Sequence, residues 1–305
     1  MKDSLSKNEL ENELLYETLK ALHNCVAGMG LNLYVVGATA RDITMKLFDE
    51  IPSKRKTNDL DVAFALSDWS QFDNLCEVLQ ANYFRKGKAK QKFYYIGEHH
   101  ENGYEVDIVP FGDIADDEII GWPPDGTPEM SVKCFTDVME HAIPISINKE
   151  FTVYIAPLAG QFFIKLDSWM DRHEREHKDA EDMYYILEKY YFTSIMEGQT
   201  PPDDVDLNIE EELIRSAQWI GSNMRHILNA DHLKYYSAII AEELEKGTGS
   251  ELIKDFIKLY GDEKDDAYDI SLTIWNSICK ILNDEIFVRK TYKIPSPEFP
   301  QTNNL

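Results

Sequence analysis

Asp59-Leu60-Asp61 is where chemistry can first be read in this chain. In a β-strand, residues i and i+2 point to one face. Two carboxylates on one face repel unless a positive charge sits between them. A hard divalent cation such as Mg²⁺ or Mn²⁺ suits that position, since it prefers carboxylate oxygens and commonly completes its shell with phosphate. Taken alone, D-x-D is more often the mark of a solvated strand face, since the pattern is common by chance. Asp107 changes the balance: Val106 and Ile108 flank it in an apolar run that reads as a buried strand. A carboxylate there costs several kcal/mol unless it is paired or metal-bound. A third carboxylate on a neighbouring strand completes a two-metal site, where it also helps deprotonate an attacking hydroxyl. The plainer alternative is an exposed edge position shared with Glu105.

The elements that must position these groups follow from the pattern. Leu33–Val36 reads as a buried strand ending at Gly37, and 38–48 as a helix. A glycine at a strand-to-helix turn lets backbone N–H groups approach a phosphate, with Thr39 offering a hydroxyl and Arg41 a cation. Residues 51–58 form a basic loop before the 59–65 strand, and 68–82 a helix. Residues 91–97 and 104–109 form a hairpin, 112–150 is irregular, and 151–157 is a strand. A helical pattern covers 6–29 and another 158–191, the latter with a charged break near His173–His177. Beyond Thr200-Pro201-Pro202 the chain reads as amphipathic helices, broken at Gly247-Thr248-Gly249 and Gly261-Asp262. The expected fold is α/β (α+β) with a small mixed sheet over 1–199, followed by an all-helical domain over 200–305.

Gly37 before a helix, the D-x-D strand and the third carboxylate strand together resemble the nucleotidyltransferase superfamily of the polymerase-β type. Gly37-x-x-x-Arg41-Asp42 is similar to the opening of tRNA-end-adding enzymes. Arg55-x-Thr57-x-Asp59-Leu60-Asp61, with Lys165 … Arg172 … Lys178-Asp179-Ala180-Glu181-Asp182-Met183, resembles the AbiEii/AbiGii-type abortive-infection toxins over residues 30–190. Three departures are Ala38 for the second turn glycine or serine, the long interval from Gly37 to Asp59, and Lys178 for an arginine. The resemblance implies transfer of NMP from an NTP to an acceptor hydroxyl, with Asp59, Asp61 and Asp107 as metal ligands. It places Gly37, Thr39, Arg41, Arg55, Thr57, Lys165, Asp179 and Asp182 around the nucleotide. It further implies a tRNA or other cellular acceptor, and a toxin restrained by an antitoxin protein.

Lys165 fits that role physically. If one helix runs through, Arg172 and Asp179 lie seven and fourteen residues on, near the same side. The lysine sits among Phe162, Phe163, Ile164 and Leu166, where a charge needs a partner. A solvated helix face is the alternative, and the sequence does not separate Asp179 from Asp182.

Charge bears on the acceptor. The 305 residues carry 31 basic and 55 acidic side chains, a net charge of −24, which argues against broad nucleic-acid binding. The run Arg85, Lys86, Lys88, Lys90 and Lys92, interleaved with Phe84, Phe93, Tyr94 and Tyr95, is the one surface suited to tRNA; a solvated hairpin rim is the equal alternative. The acidic remainder suits a cationic small molecule such as an aminoglycoside. A nucleotide-binding module without turnover is a third reading. His173-Glu174-Arg175-Glu176-His177 matches H-E-x-x-H, but its charged flanks speak for a surface helix. The four cysteines form no C-x-x-C pair, and no apolar run reaches membrane-spanning length. A cytoplasmic location, with no membrane partner, is expected.

Overall fold

The computed structural model describes residues 2–48, 59–97 and 103–292, with side chains to residue 284. The chain enters through β1 (Ser4–Leu5), α1 (Lys7–Leu10) and α2 (Glu13–Ala27). The expected helix over 6–29 is thus two: Glu11 turns left-handed, and the Asn12 side chain caps α2 by accepting from Leu15 N–H. Next come β2 (Tyr34–Val36), α3 (Gly37–Leu47), β3 (Asp59–Ala65) and α4 (Trp69–Ala81). β4 (Phe84–Lys86), β5 (Lys92–Tyr95) and β6 (Tyr104–Phe111) follow. The segment read as irregular holds a small hairpin, β7 (Ile119–Gly121) with β8 (Glu129–Ser131), then α5 (Phe135–Glu140) and β9 (Ile143–Ile147). β10 (Phe151–Ile155) leads into α6 (Leu158–Arg172) and α7 (Lys178–Met196). The rest is helical: α8 (Glu212–Ile227), α9 (Ala230–Glu245), α10 (Glu251–Tyr260) and α11 (Ala267–Tyr292). The breaks at Gly247–Gly249 and Gly261 fall where expected.

The fold is therefore a mixed α/β arrangement followed by helices, as read from the sequence. The sheet is larger than expected: eight strands in the order β1-β9-β10-β2-β3-β6-β5-β4. β3 runs parallel to β6 and antiparallel to β2, and β5 is antiparallel to β6. Side-chain alternation sorts the two faces of the central strands. Leu60, Val62, Val106 and Ile108 are fully buried on one face, while Asp59, Asp61, Glu105 and Asp107 occupy the other, partly open face.

The helical region is knit to the sheet region through α6 and α7. Phe163 meets Tyr236 edge-on at 5.0 Å, Phe162 meets Trp275 at 5.7 Å, and Trp169 Nε1 donates to Asp255 at 3.1 Å. One apolar core runs through both regions. All four cysteines are buried and free, and no helix among the described residues is long and apolar enough to cross a membrane.

Candidate active site

A single row of register partners crosses four strands: Val36 opposite Asp61, Asp61 opposite Asp107, and Asp107 opposite Lys92. Asp59 lies one step along the same face, opposite Glu105. The D-x-D pair and the third carboxylate are thus brought together by strand pairing alone. Gly37 follows Val36 with φ +66°, and a Cβ on it would fall 2.2 Å from Asp61 Oδ2. Two demands converge on this glycine: a left-handed backbone and room for a carboxylate.

Burial pushes the Asp61 carboxyl up to about 6; the Lys165 charge opposes this, while Asp59 and Asp107 add to it. Asp107 is raised as well, by burial first, against the pull of Lys92. Its Oδ1 is buried and accepts no hydrogen bond among the described residues, although Lys92 Nζ stands 3.5 Å away. Partly desolvated carboxylates with an unsatisfied oxygen are what a divalent cation relieves. No three carboxylate, imidazole or thiolate groups among the described residues converge into a ready metal cage. Mg²⁺ needs no such cage, since it typically uses one or two carboxylates and completes its shell with water and phosphate. Asp61 and Asp107, with Asp59 beside them, fit that kind of ion.

Lys165, Arg172, Asp179 and Asp182 assemble into one network, by a different route from the single helix considered above. Fourteen residues of continuous helix would separate Lys165 from Asp179 by about 21 Å. Instead α6 ends at Arg172 and α7 starts at Lys178, and the two helices pack on each other. Lys165 Nζ then lies 3.2 Å from Asp179 Oδ1 and 2.8 Å from Asp182 Oδ2, so both aspartates hold it. Burial alone would raise Asp179, but the Arg172 hydrogen bonds and the Lys165 charge outweigh it and hold the carboxyl below its usual value.

Arg41 joins the network from α3. It is only 2% exposed, pairs with Asp182, and donates to Asp42 at 2.9 and 3.1 Å. Tyr185 lies under its guanidinium at 5.1 Å. Its donors are turned to these partners, so it reaches the site through Asp182. Thr39 is also turned inward, its hydroxyl donating to the Asp59 carbonyl at 3.2 Å. Arg55 and Thr57, with the rest of 49–58, lie outside the described residues.

A cleft of about 680 Å³ opens over the carboxylate row. Gly37, Asp61 and Asp107 line it together with Lys165, Arg172, Ser131, Asp167 and Asp171. Asp167 was not singled out from the sequence. Ser131 Oγ donates to it at 2.5 Å, and burial carries its carboxyl up to about 6 against that bond. The β7–β8 hairpin that brings Ser131 here arises from the stretch read as irregular.

Part of the basic run is committed elsewhere. Lys90 Nζ binds the carbonyls of Trp122, at 3.3 Å, and Thr127, at 3.0 Å. Arg85 lies over the Tyr94 ring and Lys86 over Phe72 and Phe93. The H-E-x-x-H residues span the turn between α6 and α7. There His173 stacks on Trp169 at 4.1 Å, and His177 Nδ1 lies 3.1 Å from Asp255 Oδ1.

No family model matches the chain, and no curated protein does. Among solved structures, ANT(2")-Ia in complex with adenylyl-2"-tobramycin is similar over 60% of this chain and 95% of that one, at 12% identity and a TM-score of 0.38. An antigenic nucleotidyltransferase-like protein from Paracoccidioides brasiliensis is similar over 67% and 86%, at 15% identity and a TM-score of 0.39. JHP933 from Helicobacter pylori is similar over 94% and 97%, at 12% identity and a TM-score of 0.36. Overlaps of this size decide neither substrate nor activity.

Proposed function

We propose that the protein transfers NMP from an NTP to an acceptor hydroxyl and releases pyrophosphate. The observation that carries this reading is the row Gly37–Asp61–Asp107 lining an open cleft together with Lys165 and Arg172. Asp61 and Asp107, aided by Asp59, would hold Mg²⁺ or Mn²⁺; such an ion draws charge from the phosphates and acidifies the acceptor hydroxyl. Lys165 and Arg172 offset the charge of the triphosphate, and Asp179 and Asp182 fix where Lys165 stands. Asp107 accepts the hydroxyl proton as the acceptor oxygen bonds to the α-phosphorus. The bond from the α-phosphorus to the bridging oxygen breaks, and pyrophosphate carries that electron pair away.

For the acceptor, the acidic part of the cleft lining favours a cationic molecule over RNA. Asp167 and Asp171 belong to that lining, while in the basic run Lys90 is bonded to backbone carbonyls and Arg85 and Lys86 lie over aromatic rings. A tRNA acceptor, and with it a toxin held by an antitoxin, is the reading that the AbiEii-type resemblance adds. A nucleotide-binding module without turnover is the third.

The test is transfer of label from each α-³²P NTP, with Mg²⁺, into a cell lysate and into a panel of polyamine and aminoglycoside acceptors. The Asp59→Ala/Asp61→Ala protein is the control. Label in a small cationic product supports the favoured acceptor, and label in an RNase-sensitive band moves the acceptor to RNA. NTP binding without transfer to any acceptor supports the binding module. Full transfer by the control protein overturns the site.

A further inference from the structure

We infer that Lys92 is the resident counter-ion of Asp107 and sets how tightly a divalent cation binds beside it. The inference rests on the metal-site reading above. Lys92 ends the row of register partners on β5, directly opposite Asp107. Its Nζ lies 3.5 Å from Asp107 Oδ1, and it also pairs with Glu105, the neighbour of Asp59 across β3 and β6. The ammonium therefore sits beside one oxygen of the Asp107 carboxylate, sharing its charge between two acids.

Several contacts confine it there. Lys92 O accepts from Gly87 N–H at 2.7 Å, and Gln91 O accepts from Ile108 N–H at 2.9 Å, fixing the backbone on both sides. The Lys92 stem lies against Gly87 so closely that a Cβ there would fall 3.0 Å from Lys92 Cγ. Arg85, Lys86 and Lys90 of the same run are turned to aromatic rings or to backbone carbonyls, so Lys92 is the member of the run applied to the acids. A unit positive charge held a few ångströms from a metal ligand opposes a dication directly. The ammonium already rests on Glu105, so entry of the ion loosens the 3.5 Å contact to Asp107, and affinity depends on how firmly Glu105 keeps the lysine.

The test measures Mn²⁺ alone, without nucleotide, by the loss of the free-ion EPR signal at pH 7.5. Wild type, Lys92→Met, Glu105→Gln and Asp107→Asn are compared, each checked for folding by near-UV circular dichroism. Lys92→Met is expected to tighten Mn²⁺ by about tenfold, and Glu105→Gln to weaken it by a similar factor. Lys92→Gln keeps a polar stem should the methionine variant fail to fold. Folded Lys92 variants with unchanged or weaker affinity overturn the inference while leaving the metal site standing. Equal binding by wild type and Asp107→Asn removes the metal site, and the inference with it.

Discussion

Arg172 grips Asp179 with a pair of hydrogen bonds, Nε to Oδ2 at 2.6 Å and Nη2 to Oδ1 at 2.8 Å. The two partners are not equivalent. Asp179 is wholly buried, whereas the Arg172 side chain is 36% exposed. When one member of such a pair is removed, the cost depends on what is left behind. Arg172→Ala leaves a buried carboxylate on Lys165 alone. Asp179→Ala leaves a guanidinium that can turn to water and a lysine still held by Asp182. Urea unfolding at pH 7 should therefore show Arg172→Ala losing about 3 kcal/mol and Asp179→Ala less. The reverse order would contradict this account.

Gly37→Ala tests the turn. The new methyl would fall on Asp61 Oδ2, in a backbone region that costs an L-residue about 1 kcal/mol. The protein should fold with a modest loss of stability. Transfer should fall by about a hundredfold, because displacing a reacting group by about 1 Å has that effect. Transfer within twofold of wild type would show that Asp61 does not depend on this approach.

Asp61→Asn should separate stability from activity. Asp61 is held at about 6 against an ordinary 3.8, chiefly by burial. A raised carboxyl binds its proton more tightly when folded, so the wild type loses stability as pH rises from about 4 to about 6. The linkage amounts to at most about 3 kcal/mol above pH 6. Asparagine escapes that penalty. Its melting temperature should exceed that of wild type at pH 7.5 and match it near pH 4, while transfer disappears. A lower melting temperature at pH 7.5 would mean that the carboxylate is stabilised in ways this burial does not capture.

The carboxylate row was legible because strand periodicity is short-range: D-x-D, and an aspartate between Val106 and Ile108, put acids on one face whatever the rest of the chain does. Lys165 and its aspartates were legible as a group but not as a geometry, since the turn after Arg172 decides whether they diverge or meet. Residues brought in by non-local packing left no local signal. Lys92 reads as one more lysine of a basic run, and its role depends on standing opposite Asp107. Asp167 depends on β8, whose three residues carry no strand pattern. β9 had a signal, the alternation Ile143-Pro144-Ile145-Ser146-Ile147, hidden by the turns before it. Arg41 shows the opposite case: its place in the chain suggested phosphate contact, and burial gave it to Asp182.

No local pattern announces His232, yet its pH response has a definite sign. From α9 it places Nδ1 2.6 Å from Asp137 Oδ2 on α5 and Nε2 2.7 Å from Glu118 Oε1, ahead of β7. Lys133 also reaches Glu118, at 3.1 Å, and lies over the Tyr235 ring. Burial opposes the charge on all three groups, but the hydrogen bonds between them prevail. His232 is raised to about 9, and Glu118 and Asp137 are lowered. A raised histidine contributes stability that is complete below its unfolded value near 6.5 and is lost as pH climbs through about 9. The two lowered acids contribute above their ordinary values and lose that contribution in acid. This clasp between the helical region and the hairpin segment should thus be firmest between about pH 5 and 6.5. His232→Gln should cost up to about 3 kcal/mol in that window, with the gap from wild type closing by about pH 9.5. Urea midpoints taken at intervals from pH 5 to 10 would show it, and a gap that stays constant with pH would mean that folding does not shift the imidazole's affinity for its proton.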